Sequence, residues 1–470
     1  MVFSSLIFLF AYLTLTLALY YVVPRKWRNV VLFVVSLLFY GWGEPVYIAL
    51  MLLSITVAYV GGFFIDKYRH SSPKKSKAAM IVSLALNLSF LLFFKYFNFT
   101  METLSLIPFL SGVAKPIEGL SLPIGISFYT FQIMSYTIDL YRHETEVQKN
   151  YIAFGTYVTL FPQLIAGPIV RYRDVDDQLM GRRESVADFA AGVRRFCAGL
   201  AKKVLLGDAA AAAFAYFSEA AGFEHTALGA WMTVICYTLH IYYDFSGYSD
   251  MAIGLGRMFG FRFVENFDYP YISRSITEFW RRWHITLSTW FRVYVYIPLG
   301  GNRKGKARQY LNLAVVWLLT GLWHGASWNF VLWGVYFLVI LVIEKAFLLK
   351  ALEKLPRVFS HAYALLLIGI GWIIFAFPNL SEGWAIFTGL FGAGTVGFAS
   401  PVVVYEALRY LPLLVVCFVG ATPLPKRIFE KIRQKPVVTY ATPVLCALIL
   451  LLCTAYLVDS TFSPFLYYIF

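Results

Sequence analysis

The stretch LNLAVVWLLTGLWHGASWNFVLWGVYFLVILVIEK, residues 311–345, decides the fold class. It is apolar over almost its whole length, which is typical of helix that crosses a lipid bilayer. At 1.5 Å per residue it is too long for one span, because the hydrocarbon core is about 30 Å thick. A polar interruption, residues 321–325, lies near its middle. The stretch therefore predicts two membrane helices that meet at a break.

The rest of the chain has the same character. Of its 470 residues, 59% are hydrophobic and 14% are charged, whereas a soluble domain carries about 25% charged residues. Soluble, disordered and fibrous proteins are thereby excluded. Further apolar segments lie near residues 3–23, 29–42, 46–65, 78–97, 151–170, 204–220, 228–246, 361–378, 401–420 and 437–458. The sequence predicts an all-α polytopic membrane protein with about 10–12 transmembrane helices.

The charge of the chain indicates how these helices are oriented. Lys and Arg number 40 against 26 Asp and Glu, a net charge of +14. The basic residues lie in short runs between apolar segments, which favours cytoplasmic loops over nucleic-acid binding. Basic residues after the first and third apolar segments place both of those loops in the cytoplasm. Loop 171–203 is basic too, and it lies on the same side only if segment 122–141 does not cross the membrane fully. We therefore predict that segment 122–141 is re-entrant and buried in protein. Residues 250–310 are both basic and aromatic, which predicts amphipathic helices in the cytoplasmic interface.

His324 is the clearest candidate for chemistry at membrane depth. It follows Leu311 by about 13 residues, which places it about 20 Å along a helix from the cytoplasmic edge. Ionisable residues at such depth are functional candidates, because burying them unpaired costs several kcal/mol. The alternative is a structural histidine bonded to a neighbouring helix. The residues alone support the two interpretations about equally.

Two other polar groups are weaker candidates. His284 ends the motif FWRRWH, in which Arg281 and Arg282 could hold phosphate groups or anchor lipid headgroups. His240 and Asp244 are four residues apart on one predicted helix face. For this pair we favour a role in holding the bundle together.

Several enzyme classes lack their motifs here. The sequence contains no GxSxG, HExxH or Walker A motif, which argues against a serine hydrolase, a metalloprotease and a P-loop ATPase. The five cysteines show no CxxC spacing and the histidines show no metal-ligand spacing, so we expect no metal site.

Five motifs resemble, in wording and order, the membrane-bound O-acyltransferase (MBOAT) family, and within it the bacterial alginate O-acetylation (AlgI-type) branch. They are LPIGISFYTF at 122–131, LIAGP at 164–168, DFSGYSD at 244–250, FWRRWH at 279–284 and GLWHG at 321–325. The resemblance extends over the whole chain. It implies one integral-membrane domain, residues 1–470, in which helices surround a central funnel. We expect N-terminal helices in 1–120, a catalytic core in 121–345 and C-terminal helices in 346–470.

The resemblance also implies an activity and a site. His324 would be the catalytic base and His284 a second catalytic position. The residues expected to bind donor or substrate are Arg281, Arg282, Asp250, Trp323 and Ser246. Acetyl groups would pass from cytoplasmic acetyl-CoA, a co-substrate and not a bound cofactor, to an extracytoplasmic polysaccharide. The expected location is the bacterial inner membrane, with an extracytoplasmic SGNH-type acetyltransferase or another polysaccharide-modifying protein as partner.

Two other functions remain open at this point. A D-alanyl transferase of the teichoic-acid type would use a carrier-protein thioester as its donor. A transporter of glycans or lipids would use His324 for gating or proton relay. Transporters are often built from repeated halves, and the sequence contains no internal repeat.

Overall fold

The computed structural model describes residues 1–223 and 225–459. Within these ranges no strand is present, and Thr226 and Gly397 form an isolated bridge. The α-helices are α1 (Leu13–Val22), α2 (Arg28–Gly41), α3 (Ile48–Arg69), α4 (Pro73–Ser105), α5 (Ile126–Tyr141), α6 (Tyr151–Thr159), α7 (Phe161–Leu164), α8 (Asp176–Gly181), α9 (Val186–Ala201), α10 (Asp208–Phe223), α11 (Ala227–Met258), α12 (Ile276–Arg282), α13 (Ile285–Phe291), α14 (Lys306–His324), α15 (Trp328–Ile343), α16 (Leu349–Lys354), α17 (Arg357–Ala376), α18 (Leu380–Gly389), α19 (Pro401–Gly420), α20 (Leu424–Ile432) and α21 (Pro436–Asp459).

The described part of the chain has six helices that are long and apolar enough to cross a membrane. They are α3, α4, Trp328–Lys354, α17, α19 and α21. The prediction of an all-α polytopic membrane protein is therefore confirmed. The predicted number of about 10–12 spans includes shorter helices such as Ile7–Val22, and it stays a prediction.

The chain forms two compact units. The first comprises Met1–Phe196 and Met251–Val264, and the second comprises Cys197–Asp250 and the described residues from Glu265 onward. Every residue that the sequence nominated for the site belongs to the second unit. The predicted division of one domain into 1–120, 121–345 and 346–470 stays a prediction.

Two segments of the first unit bear on the sequence predictions. Nearly all residues of α5 are buried, which agrees with a segment enclosed by protein. The apolar segment 151–170, by contrast, is not one helix, because α6 ends at Thr159 and α7 begins at Phe161. Pro162 explains this break, since a proline lacks the N–H that a continuous helix needs and its ring clashes with the preceding turn.

In the second unit, α14 and α15 form the predicted pair of helices within residues 311–345. The break falls between His324 and Trp328. The helices cross closely, because a Cβ on Gly321 would lie 2.4 Å from the carbonyl oxygen of Phe330. A Cβ on Gly334 would likewise lie 2.6 Å from the carbonyl oxygen of Trp317. His324 is therefore the last residue of a helix whose end is fixed against its neighbour.

Candidate active site

A cavity of about 430 Å³ in the second unit is lined by both predicted histidines. Its walls come from the short helices α12 and α13, the π-helical segment Arg292–Tyr296 that follows them, the helix pair α14 and α15, and Lys345 just beyond α15. The polar and charged lining residues are Thr277, Arg281, His284, Ser288, Arg292, Tyr296, Thr320, His324 and Lys345. The remaining wall is aromatic or aliphatic, so the cavity combines an apolar surface with several polar groups, as is common for ligand sites.

His324 is held between aromatic rings. Its side chain is buried, and its ring centroid lies 4.9 Å from Trp333 and 5.3 Å from Phe375, both in edge-to-face geometry. Trp323 packs against it at 5.0 Å. These contacts restrict the orientation of the imidazole and keep water from its flanks.

His284 lies between α12 and α13 in a left-handed backbone conformation, with φ of +44°. Non-glycine residues seldom adopt this conformation, and such strain is concentrated at functional sites. The imidazole is buried, and its Nδ1 lies 3.1 Å from Oδ1 of Asn266. The Trp323 ring, 5.9 Å away, contacts this histidine as well as His324. Trp323 itself is absent from the cavity wall, so it supports the two histidines from behind.

The two neighbouring arginines have different surroundings. Arg281 lines the cavity. Arg282 instead donates hydrogen bonds to Glu278 Oε1 at 3.0 Å and to Asp268 Oδ2 at 2.8 Å. Of the two arginines, Arg281 lies at the cavity, whereas Arg282 belongs to a surface ion-pair network. Their roles in binding phosphate stay predictions.

Asp250 and Ser246 also lie away from the cavity wall. Asp250 accepts a hydrogen bond from Lys202 at 2.7 Å, and Ser246 is buried on α11. Their expected contact with donor or substrate stays a prediction. The bond from Lys202 joins Asp250 on α11 to a neighbouring segment.

A buried ion-pair cluster accounts for Asp244. Lys203 Nζ lies 2.7 Å from Asp244 Oδ1 and 2.5 Å from Asp208 Oδ1. His240 lies beside this cluster, with its Nδ1 3.1 Å from the carbonyl oxygen of Gly207. The arrangement agrees with the bundle-holding role that the sequence favoured for this pair.

Two basic residues of the cavity wall, Arg292 and Lys345, were not among the sequence candidates. Arg292 follows an aromatic segment that was interpreted as interfacial, and Lys345 ends a strongly apolar run. A basic residue at the end of an apolar run is an ordinary lipid-facing feature. The sequence therefore offered no specific reason to place either residue at the cavity, apart from its position in the region of the two histidine motifs.

Glu344 is a third residue that the sequence analysis missed. Its buried carboxylate accepts hydrogen bonds from the backbone N–H groups of Ile276 and Thr277, each at 2.7 Å, and from Thr277 Oγ1 at 2.6 Å. These donors form the first turn of α12, the helix that carries Arg281. Glu344 thereby fixes one wall of the cavity.

Replacing Glu344 with Gln should lower the free energy of unfolding by about 1–3 kcal/mol, because one acceptor oxygen becomes an NH₂ group that faces a donor. Acyl transfer should fall with it as α12 shifts. Thermal unfolding of the purified protein measures the first effect. The exposed Glu353→Gln is the matched control, and equal unfolding of the two variants would contradict the assigned role.

No metal site is evident in residues 1–223 and 225–459, where no three His, Cys, Asp or Glu side chains are grouped to hold an ion. The five cysteines are free thiols. The cavity lining itself provides two imidazoles, basic groups and hydroxyls.

The sequence matches known proteins over most of its length. A family model described as MBOAT, membrane-bound O-acyltransferase family, matches residues 124–380. A probable alginate O-acetylase of Azotobacter vinelandii is 43% identical over 402 residues, covering 84% of this chain and 79% of that protein. A peptidoglycan O-acetyltransferase of Helicobacter pylori is 32% identical, covering 84% of this chain and 81% of that protein. A teichoic acid D-alanyltransferase of Bacillus subtilis is 28% identical, covering 60% and 73% respectively.

Proposed function

The chain belongs to the membrane-bound O-acyltransferase family and is a multi-pass membrane O-acyltransferase, and we propose that it passes acetyl groups from cytoplasmic acetyl-CoA across the membrane for O-acetylation of an extracytoplasmic polysaccharide. The observation that carries this proposal is the single cavity that His324, His284 and Arg281 line together. The names of the alginate and peptidoglycan relatives support a glycan as the final acceptor.

His324 is the proposed general base. A neutral imidazole takes the proton of the acceptor hydroxyl as the oxygen attacks the thioester carbonyl. The C–S bond then breaks, and the CoA sulfur leaves with the proton from the imidazolium. The products are the new ester and the free thiol of CoA. The aromatic wall supports this role because excluding water protects the thioester from hydrolysis.

The basic residues of the cavity are the proposed contacts for the donor. Arg281, Arg292 and Lys345 bring positive charge to the wall that the histidines share. CoA carries phosphate groups, for which arginine provides charge-assisted, bidentate hydrogen bonds. The pantetheine arm would then extend from these residues towards His324.

The location and partner follow from the same proposal. The basic loops favour a bacterial inner membrane protein with its donor side in the cytoplasm. An extracytoplasmic SGNH-type acetyltransferase, or another polysaccharide-modifying protein, would receive or complete the transfer. Nucleic acid has no part in this scheme.

Replacing Arg281 with Ala should raise the KM for acetyl-CoA about tenfold or more, because hydrogen bonds to charged groups contribute about 1.5–3 kcal/mol. The rate at saturating donor should change less. Arg282→Ala is the matched control, since that guanidinium is paired with Asp268 and Glu278. An unchanged KM in Arg281→Ala with impaired lipid association would favour headgroup anchoring instead.

Purified protein with radiolabelled acetyl-CoA tests the proposed donor. We expect release of free CoA and transfer of label to an alginate oligosaccharide or to the partner protein. Label transfer only from a D-alanyl carrier-protein thioester would favour the teichoic-acid alternative. Movement of a glycan across vesicles with no use of either thioester would favour a transporter.

A further inference from the structure

Asn266 holds the backbone and side chain around His284 through several contacts. It is fully buried, and its backbone oxygen accepts a hydrogen bond from the N–H of Ile285 at 2.9 Å. Its side-chain Oδ1 accepts from the N–H of Thr286 at 3.3 Å and from Thr286 Oγ1 at 2.9 Å. The same Oδ1 lies 3.1 Å from Nδ1 of His284. One asparagine therefore secures three successive residues, including the left-handed backbone of His284.

The contacts determine which way the Asn266 amide faces. A backbone N–H can only donate, so the atom that meets the N–H of Thr286 must be the amide oxygen. An amide rotated by 180° would set its NH₂ group against that N–H. The usual ambiguity between amide oxygen and nitrogen is removed by this contact.

The orientation of the amide in turn determines where the proton of His284 lies. Because Oδ1 is an acceptor, the imidazole nitrogen facing it must be the donor. The segment that holds His284 is outside the six long apolar helices. Burial there lowers the pKa of His284 to about 3, so the ring is neutral at pH 7 and carries one proton.

We propose that Asn266 is a positioning residue that fixes His284 as the Nδ1–H tautomer and leaves Nε2 as a hydrogen-bond acceptor. The tautomer follows from the contacts alone, whereas the contact with substrate described next rests on the proposed function. His284 then receives a hydrogen bond from an O–H or N–H of the bound substrates. In this tautomer Nε2 has no proton to donate to the thioester carbonyl oxygen. His284 thus orients a donor group of the substrate beside His324.

Nitrogen-15 NMR of protein labelled at its seven histidines tests the tautomer directly. His284→Gln identifies the two signals of His284 by difference. We expect a protonated Nδ1 and an unprotonated Nε2 in the wild type. A protonated Nε2 with an unprotonated Nδ1 would overturn the proposal. The tautomer is read from the wild-type spectrum, and His284→Gln serves only to assign its two signals.

Variants of the contacts test whether Asn266 is the cause. Asn266→Ala should give mixed or reversed tautomers and slow acyl transfer roughly 10- to 100-fold, because a misplaced tautomer of a catalytic histidine costs up to about 10⁴-fold. Asn266→Asp retains an acceptor oxygen and should restore the Nδ1–H tautomer. Thr286→Val, which keeps the backbone N–H, is the matched control and should leave the tautomer unchanged. An unchanged tautomer in folded Asn266→Ala would contradict the assigned role.

The two proposals fail in different ways. A wild type that transfers no acetyl group but shows the Nδ1–H tautomer would overturn the proposed function and leave the role of Asn266 standing. A wild type that transfers acetyl groups with the opposite tautomer would overturn only the role of Asn266.

Discussion

Replacing His324 with Ala should lower the rate of acyl transfer by about 10²–10⁴-fold, the contribution typical of a general base. The residue is buried at the end of α14 and lines the cavity that also contains His284 and Arg281. An alanine at this position has no group that could accept the proton of the acceptor hydroxyl. The measurement is the initial rate of transfer from labelled acetyl-CoA by purified variant and wild type.

A second substitution separates chemistry from packing. His324→Gln retains most of the volume between Trp333 and Phe375 and should lose as much activity as His324→Ala. His70→Ala, which changes an exposed histidine, is the control and should retain the wild-type rate. Near-normal transfer by His324→Gln would remove His324 from the role of base.

Replacing Lys203 with Met should lower the free energy of unfolding by about 3–5 kcal/mol, the cost of removing one partner from a buried ion pair. The side chains of Lys203 and Asp244 are only 2% and 1% exposed. Without the ammonium group, Asp244 and Asp208 would be two carboxylates close together in a poorly hydrated interior. The loss is measured as a lower midpoint of thermal unfolding, with the folded fraction after heating determined by size-exclusion chromatography.

The neighbouring Lys202 provides the matched control. It pairs with Asp250, but its side chain is 27% exposed. Lys202→Met should therefore cost only about 0–1 kcal/mol, as is usual for pairs near the surface. Equal destabilisation by the two substitutions would contradict the structural importance of the Lys203 cluster.

The sequence predicted the features that depend on local pattern. A polar interruption in a long apolar run was enough to place a helix break next to His324, because the length of a span is set by the bilayer. The polar residues of segment 122–141 likewise indicated burial in protein, and α5 is buried. These inferences needed no knowledge of which helices are neighbours.

Features that depend on packing between distant segments could not be predicted. Arg281 and Arg282 are adjacent, but successive helix residues point in directions about 100° apart, and only packing decides which one meets the cavity. The partner of Arg282, Asp268, is 14 residues away, and Glu344 reaches the start of α12 from 67 residues beyond it. No local pattern in the sequence carries such information.

If acetyl groups cross the membrane through the cavity that His324 lines, label supplied as acetyl-CoA on one side should appear on the other. The most direct measurement uses sealed proteoliposomes with labelled acetyl-CoA outside and an alginate oligosaccharide enclosed together with the extracytoplasmic partner protein. Acetyl-CoA does not cross the lipid, so only protein with its donor side outward is assayed. We expect label on the enclosed oligosaccharide or partner protein with wild type, and little with His324→Gln. Consumption of acetyl-CoA with all label remaining outside, or equal internal label in both proteins, would contradict this route.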